Sequence, residues 1–547
     1  MPSLSLCKPR ISLRLPPLQR EKKWHYAWML FSWACLIFVC LRGWQVIQGR
    51  MYYLLDSDMS SDLVLSYLLR KEHALLSTNW FYSTELHVFH NHWVFTPLFF
   101  LFDNWLQVRT IGTAIILLCM LASCWYFCRQ AGIGTLFPAV AAVLVSPMSD
   151  AYFRIALLTV SYPPYLTASF LCLGMLLQYV RSERRRTRTI LLILQFLFSL
   201  LIGLGGLRQV VTFYLPLFLT ALALSVAASP ARAGSTLPEL PTPERRLLTG
   251  STLATLASVI GWMLNTRVLS HYYHYSSQEG VKFSAFDGER LERLFYGWLE
   301  SFGFRTGEYV TSPQLLYNAF CFLALLILVC AYISLLRCPG RYTLAERTFY
   351  LLSFFSFVVY QGLYLFTDMV YYTRYNIPVV VLMMPVVVDY LYRLPRCRLW
   401  RGILLGGMAG LLLWCVNDYY TQLWPKNMTS SQEAAVTALR VAGYTEGYAT
   451  FWNANVMVEI SNGAFDIRVW KPGEDVTDPN ALYEWLQTEE HMETTPEGPV
   501  FVFLNKTEAE YETPSQRLTQ GTVEYEDEHY IAIGYPSYEA MCADFSD

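Results

Sequence analysis

The sequence predicts an α-helical polytopic membrane protein of about eleven transmembrane helices, with a small α/β extracytoplasmic C-terminal domain. Three observations carry this prediction. Of the 547 residues, 54% are hydrophobic and only 15% are charged, whereas a soluble chain of this length carries nearer a quarter of charged residues. Apolar runs of bilayer-spanning length recur from residue 24 to residue 416. Charge is also split along the chain. From Lys426 onward there are 6 Lys and Arg against 22 Asp and Glu, a net −16 that leaves +14 on the rest. A basic, apolar body therefore precedes an acidic, polar one.

The elements follow in order. Residues 1–23 carry Lys8, Arg10, Arg14, Arg20, Lys22 and Lys23 against Glu21 alone, a basic cytoplasmic segment. The apolar run 24–44 reads as an uncleaved first span, because no small-residue cleavage site follows it. Further spans are predicted at 108–128, 133–147, 162–180, 189–206, 210–227, 247–268, 315–336, 348–366, 377–392 and 402–416. Short cytoplasmic loops collect Lys and Arg. Eleven spans from a cytoplasmic N-terminus put "RSERRRTR" (181–188), "PERR" (243–246), "RCPGRYTLAER" (337–347) and "RLPRCRLWR" (393–401) on that side. This count requires "HWVFTPLFFLFDNW" (92–105), short and interrupted by Asp103, to lie at the interface or re-enter without crossing.

The reading gives a plasma-membrane protein with a transmembrane domain over 24–419. A long first outer loop (45–107), a second outer loop (269–313) and the tail (420–547) share the extracytoplasmic side. In the tail, "SSQEAAVTALRVAG" reads as a helix with a glycine stop and "NALYEWLQTEE" as a second helix. "GYATFW", "FDIRVW", "GPVFVFLN" and "HYIAIGYP" read as strands. Of 13 cysteines, Cys542 alone falls clearly outside, so no disulfide staples the tail. No phosphate-cradling glycine loop is present, which removes ATP-driven transport, and nothing points to nucleic acid as a partner.

The candidate chemistry lies in the first outer loop, where "MYYLLDSDMSSD" (51–62) places Asp56, Asp58 and Asp62 within seven residues. Asp58 can N-cap the helix that follows, with Asp62 one turn in, favourable against the helix dipole. Capping leaves Asp56 unexplained, and two carboxylates this close repel unless they share a proton, a cation or an arginine. Asp56 and Asp58 are thus candidates for a general base or, if a divalent cation such as Mg or Mn is used, for its ligands. Further along, "STNWFYSTELHVFHNH" (77–92) holds Glu85 as a second acid or an orienting partner. His87, His90 and His92 invite a metal reading, but their spacing does not place all three on one helix face. Arg154, Arg208 and Arg374 stand at the expected outer ends of spans, where guanidinium matches phosphate bidentately at modest desolvation cost. Lys282 and Arg305, in the second outer loop, are weaker candidates.

With these parts in place, the chain resembles the GT-C superfamily of integral-membrane glycosyltransferases, including protein O-mannosyltransferases and lipid A aminoarabinose transferases. The resemblance rests on architecture over the whole chain and on "DSD" with its following helix. It implies a general-base aspartate in the first loop, Asp58 or Asp56, with Asp58 preferred because a helix start would hold it. It also implies a polyprenyl-phosphate-linked sugar donor, with its phosphate on Arg208 or Arg374, and an acceptor hydroxyl on an envelope glycan, lipid or protein. Many members carry an Asp-Glu pair where this chain has Asp-Ser-Asp, and the WWD motif of oligosaccharyltransferases is absent. The alternatives are a secondary transporter or lipid flippase, or a polysaccharide polymerase or ligase. A transporter requires a polar site near the bilayer midplane. An enzyme requires Asp56 or Asp58 to face a cavity with an arginine across it.

Overall fold

The computed structural model describes residues 18–158, 161–228, 242–275, 281–307, 309–394, 398–471, 482–507 and 520–546. The basic segment up to residue 17 lies outside them. After helix α1 (Leu18–Arg50) the chain passes through α2 (Ser57–Glu72) and α3 (His92–Phe99) before re-entering the bundle as α4 (Trp105–Ala131). Later bundle helices are Pro163–Arg181, Arg185–Gly203, Leu215–Ala228, Thr242–Arg267, Leu315–Arg337, Leu344–Phe366, Ile377–Arg393 and Arg398–Leu423.

Among the described residues, nine helices are long and apolar enough to cross a membrane. Two of the eleven predicted spans are not among them. The run 133–147 forms only the short apolar helix Gly134–Leu144, and 162–180 forms Pro163–Arg181, a helix buried on most of its surface. Helix α3 has eight residues, about 12 Å of rise against a hydrocarbon core of about 30 Å. It packs against α2 and α4 and cannot span.

Close helix contacts depend on glycine. A Cβ on Gly203 would lie 2.1 Å from the Ser258 carbonyl oxygen, and one on Gly261 would lie 2.3 Å from that of Leu200. Helices Arg185–Gly203 and Thr242–Arg267 thus meet backbone to backbone, as small residues permit in membrane interfaces.

The C-terminal domain follows Ser430–Ala442, a helix closed by Gly443 at φ 92°. Strands β1 (Glu446–Thr450), β2 (Asp466–Trp470), β3 (Val500–Asn505), β4 (Thr522–Glu526) and β5 (Tyr530–Tyr535) form one sheet in the order β2-β1-β3-β5-β4. β1 is parallel to β2 and β3, whereas β5 is antiparallel to β3 and β4. Four strands occupy the predicted runs. β4 has a weaker, charged pattern ("TVEYE"), and "FWNANVMVEI" turns out to be the crossover helix Phe451–Ile460 between β1 and β2.

The predicted second helix over 480–490 does not form. The described part from Leu482 is an irregular strap whose backbone groups pair elsewhere. Tyr483 N–H donates to Val469, Leu486 N–H donates to Phe81, and Phe81 N–H donates back to Gln487. The Gln487 side chain bonds both backbone groups of Val469. The strap therefore sews the edge of β2 to the loop between α2 and α3.

Candidate active site

Asp56, not Asp58, is the N-cap of α2. Its backbone is extended, and its carboxylate accepts the Met59 N–H at 2.9 Å. The helix starts two residues earlier than expected, so Asp58 falls in the first turn with its side chain free of capping. The repulsion between the two acids is resolved by a separate arginine for each. Arg154 lies 3.8 Å from Asp56, and Arg374 lies 3.6 Å from Asp58.

Asp58 lines a cavity of about 240 Å³ together with Glu85, Arg208, Arg374, Tyr162 and Tyr165. Glu85 is paired within this wall. It accepts from Arg208 Nε at 3.0 Å and from the Tyr165 hydroxyl at 3.0 Å. The arginine lies over the Tyr162 ring, 4.9 Å from its centroid. Gly206 sits at φ 130°, and a Cβ there would stand 3.4 Å from Glu85 Cγ. The glycines of "GLGGLR" therefore let the chain turn tightly over Glu85 and deliver Arg208 to it.

Arg208 and Glu85 also border a second, larger cavity of about 610 Å³. It runs between helices Thr242–Arg267 and Leu344–Phe366, past Trp262, Tyr360 and Tyr364 to Met263, which is exposed on the bundle surface. The two cavities share Thr84, Glu85, Arg208 and Tyr375, so a larger groove of mixed polar and apolar lining adjoins the smaller cavity at these residues.

Three sequence candidates stand apart. Arg154 holds Asp56 and is not among the residues lining the smaller cavity. Arg305 stacks on Tyr317 at 3.7 Å beside another polar cavity, and Lys282 is exposed. Asp62, expected one turn into the helix, is buried. Asn91 donates to it at 2.8 Å, and His90 Nδ1 lies 3.3 Å away.

Other groups at the site carried no sequence signal. Trp485 and Leu486 of the strap complete the cavity wall, so the C-terminal domain contributes to it directly. Arg109 of α4, fully buried, grips Glu459 of helix Phe451–Ile460 through Nε at 3.0 Å and a terminal nitrogen at 2.6 Å. The same terminal nitrogen donates to the Met59 carbonyl at 2.8 Å, and Ser57 Oγ donates to the Phe451 carbonyl. The first turn of α2, which bears Asp58, is thereby bolted to the C-terminal domain from both ends.

Burial and the Asp56 charge push the Asp58 carboxyl up to about 6, against the opposing pull of Arg374. Burial also raises Asp56. A group that must be ionised to accept a proton loses function as pH falls through its pKa. A reaction in which Asp58 accepts the proton would therefore slow below about pH 6. Arg374→Gln should move that acid limb to higher pH, because it removes the positive charge favouring the carboxylate. Matched pH–rate profiles of the two proteins check this. Burial holds His87 and His92 below the usual imidazole range, His92 down to about 3, so both rings are neutral at physiological pH.

No family model and no curated protein matches the sequence. Solved structures do match. ArnT from Cupriavidus metallidurans in the apo state superposes with TM-score 0.57 at 11% identity, covering 95% of this chain and 99% of that one. ArnT bound to undecaprenyl phosphate gives TM-score 0.52 at 11% identity, covering 95% and 98%. An Archaeoglobus fulgidus oligosaccharyltransferase in the apo form gives 0.45 at 11% identity, covering 82% and 65%. This chain has the fold of ArnT and, among the described residues, nine helices long and apolar enough to cross a membrane.

Proposed function

We propose that the protein transfers a sugar from a polyprenyl-phosphate donor to an acceptor hydroxyl, with Asp58 as general base. The observation that carries this reading is the placement of Asp58 in a cavity lined also by Arg208 and Arg374, which adjoins at Glu85, Arg208 and Tyr375 a larger groove with apolar and aromatic walls among its polar groups. The groove suits a lipid chain, Arg208 suits its phosphate, and the polar cavity suits the sugar and acceptor. The fold shared with ArnT, a protein solved with undecaprenyl phosphate bound, supports the donor class.

In the reaction, Asp58 takes the proton of the acceptor O–H as that oxygen attacks the anomeric carbon. The bond from that carbon to the phosphate oxygen breaks, and the departing lipid phosphate takes the electron pair. Its charge is met by Arg208, held in place by Glu85, and by Arg374. A single displacement inverts the anomeric centre, so NMR of the product should show the configuration opposite to the donor's. A retained configuration would exclude this mechanism.

Arg208→Gln should raise KM for the donor about 10- to 100-fold, the equivalent of a charge-assisted hydrogen bond worth about 1.5–3 kcal/mol. Steady-state kinetics with a defined polyprenyl-phosphate sugar would measure it. An unchanged KM would remove the phosphate from this arginine.

A further inference from the structure

Beside Asp58, Asp62 of α2 meets His87 and His90 from the loop that precedes α3. All three side chains are buried, and each offers one donor atom within 4.8 Å of the other two. The His87 and His90 rings stack with centroids 4.0 Å apart and planes 11° from parallel. Neither His87 Nδ1 nor His90 Nε2 has a hydrogen-bond partner, although both atoms are buried. A buried, unsatisfied ring nitrogen costs about 1–3 kcal/mol, and two of them beside one carboxylate call for a ligand.

We infer that Asp62, His87 and His90 form a binding site for a zinc-class divalent cation, with a fourth coordination position open to the Asp58 cavity. The donor set decides the class. Two imidazoles and one carboxylate suit zinc and similar borderline ions, whereas magnesium and calcium favour all-oxygen shells. Three protein ligands with one position left open is also the pattern of exchangeable zinc centres.

The open position follows from the lining. Asp62, His87 and His90 all border the cavity that contains Asp58, Glu85 and Arg208, so a water or an anionic ligand oxygen can complete the shell. Donor atoms around a tetrahedral zinc ion lie about 3.4 Å apart. Binding therefore draws the group inward and turns one of the two stacked rings so that both lone pairs converge. The site would also cross-link α2 to the loop carrying Glu85. It is independent of the transferase reading, since a cation can bind whether or not sugar is transferred.

The test is metal content of the full-length chain, purified in detergent with a non-histidine tag and without chelators. Wild type should hold about one zinc per chain, and cobalt substitution should give the visible absorption of a four-coordinate ion. His87→Ala and Asp62→Asn should each lose at least about nine-tenths of the metal, whereas His92→Ala should keep it. X-ray absorption on zinc-loaded wild type should show two imidazoles in a nitrogen and oxygen shell, a readout that needs no variant to fold. Wild type that takes up neither zinc nor cobalt would overturn the site, as would folded His87→Ala with its metal intact.

Discussion

Asp58→Asn should lower sugar transfer by about 10²- to 10⁴-fold, the usual contribution of a positioned general base. Asparagine keeps the shape and removes the proton acceptor, and the first-turn position of residue 58 carries no capping duty. Stability should move the other way. The folded-state pKa of Asp58, about 6, lies above the ordinary value of 3.8. Its contribution to stability is thus complete below about pH 4 and is lost as pH rises through about 6. At pH 7 the ionised carboxylate opposes folding by up to about 3 kcal/mol, which the neutral amide relieves. A variant that melts higher and transfers far less separates a chemical role from a structural one. Asp56→Asn offers the contrast. Asparagine caps a helix as well as aspartate does, so α2 survives and the loss of activity should stay within about tenfold. If Asp56→Asn proved the inactive variant and Asp58→Asn the active one, the base would be the wrong carboxylate.

Arg109→Met should destabilise the protein by about 3–5 kcal/mol, because it strands the Glu459 carboxylate in a buried site. The guanidinium makes a two-pronged contact with Glu459 and a third bond to the Met59 carbonyl, one residue past Asp58. Its loss should therefore loosen both the docked C-terminal domain and the turn that aims the base. Arg109→Met combined with Glu459→Met should recover much of the stability, since an apolar pair of similar volume avoids burying an unpaired charge. Thermal unfolding in detergent measures this directly. Single and double variants of equal stability would mean that the pair is not the bolt between the two parts.

The helical membrane fold was legible because composition and apolar run length are local properties of the chain. Arginine loops located the segment boundaries, and glycine marked the end of the first tail helix at Gly443. The span count was less secure. Pro163–Arg181, which carries Pro163, Pro164, Gln178 and Arg181 in 19 residues, is not among the helices long and apolar enough to span, and most of it is buried. The strap after Leu482 was misread because its sequence is helix-friendly, while Val469 and Phe81, distant in sequence, claim its backbone. Tertiary pairing overrode propensity there.

Residue type and position singled out Asp56, Asp58, Glu85 and the arginines. Sequence did not reveal that Arg154 serves one aspartate and Arg374 the other, because pairing across about a hundred and several hundred residues is a property of the fold. For the same reason Asp62 was read only against the helix dipole, although its partners His87 and His90 lie in the next segment. A capping residue and a first-turn residue differ by one or two positions, which is within the usual ambiguity of a helix boundary. That ambiguity moved the cap from Asp58, where it was expected, to Asp56 and left Asp58 in the first turn.

The most direct test of the transferase reading is transfer of radiolabelled sugar from polyprenyl-phosphate donors in membranes containing the protein. Membranes without it, and membranes with an equal amount of the Asp58→Asn variant, serve as controls. Label should pass from the donor into an acceptor fraction with the wild-type protein and fall to the background of the protein-free membranes with the variant. Folded wild-type protein that transfers nothing from any such donor, while moving substrate across sealed vesicles, would contradict the enzyme and leave a transporter in its place.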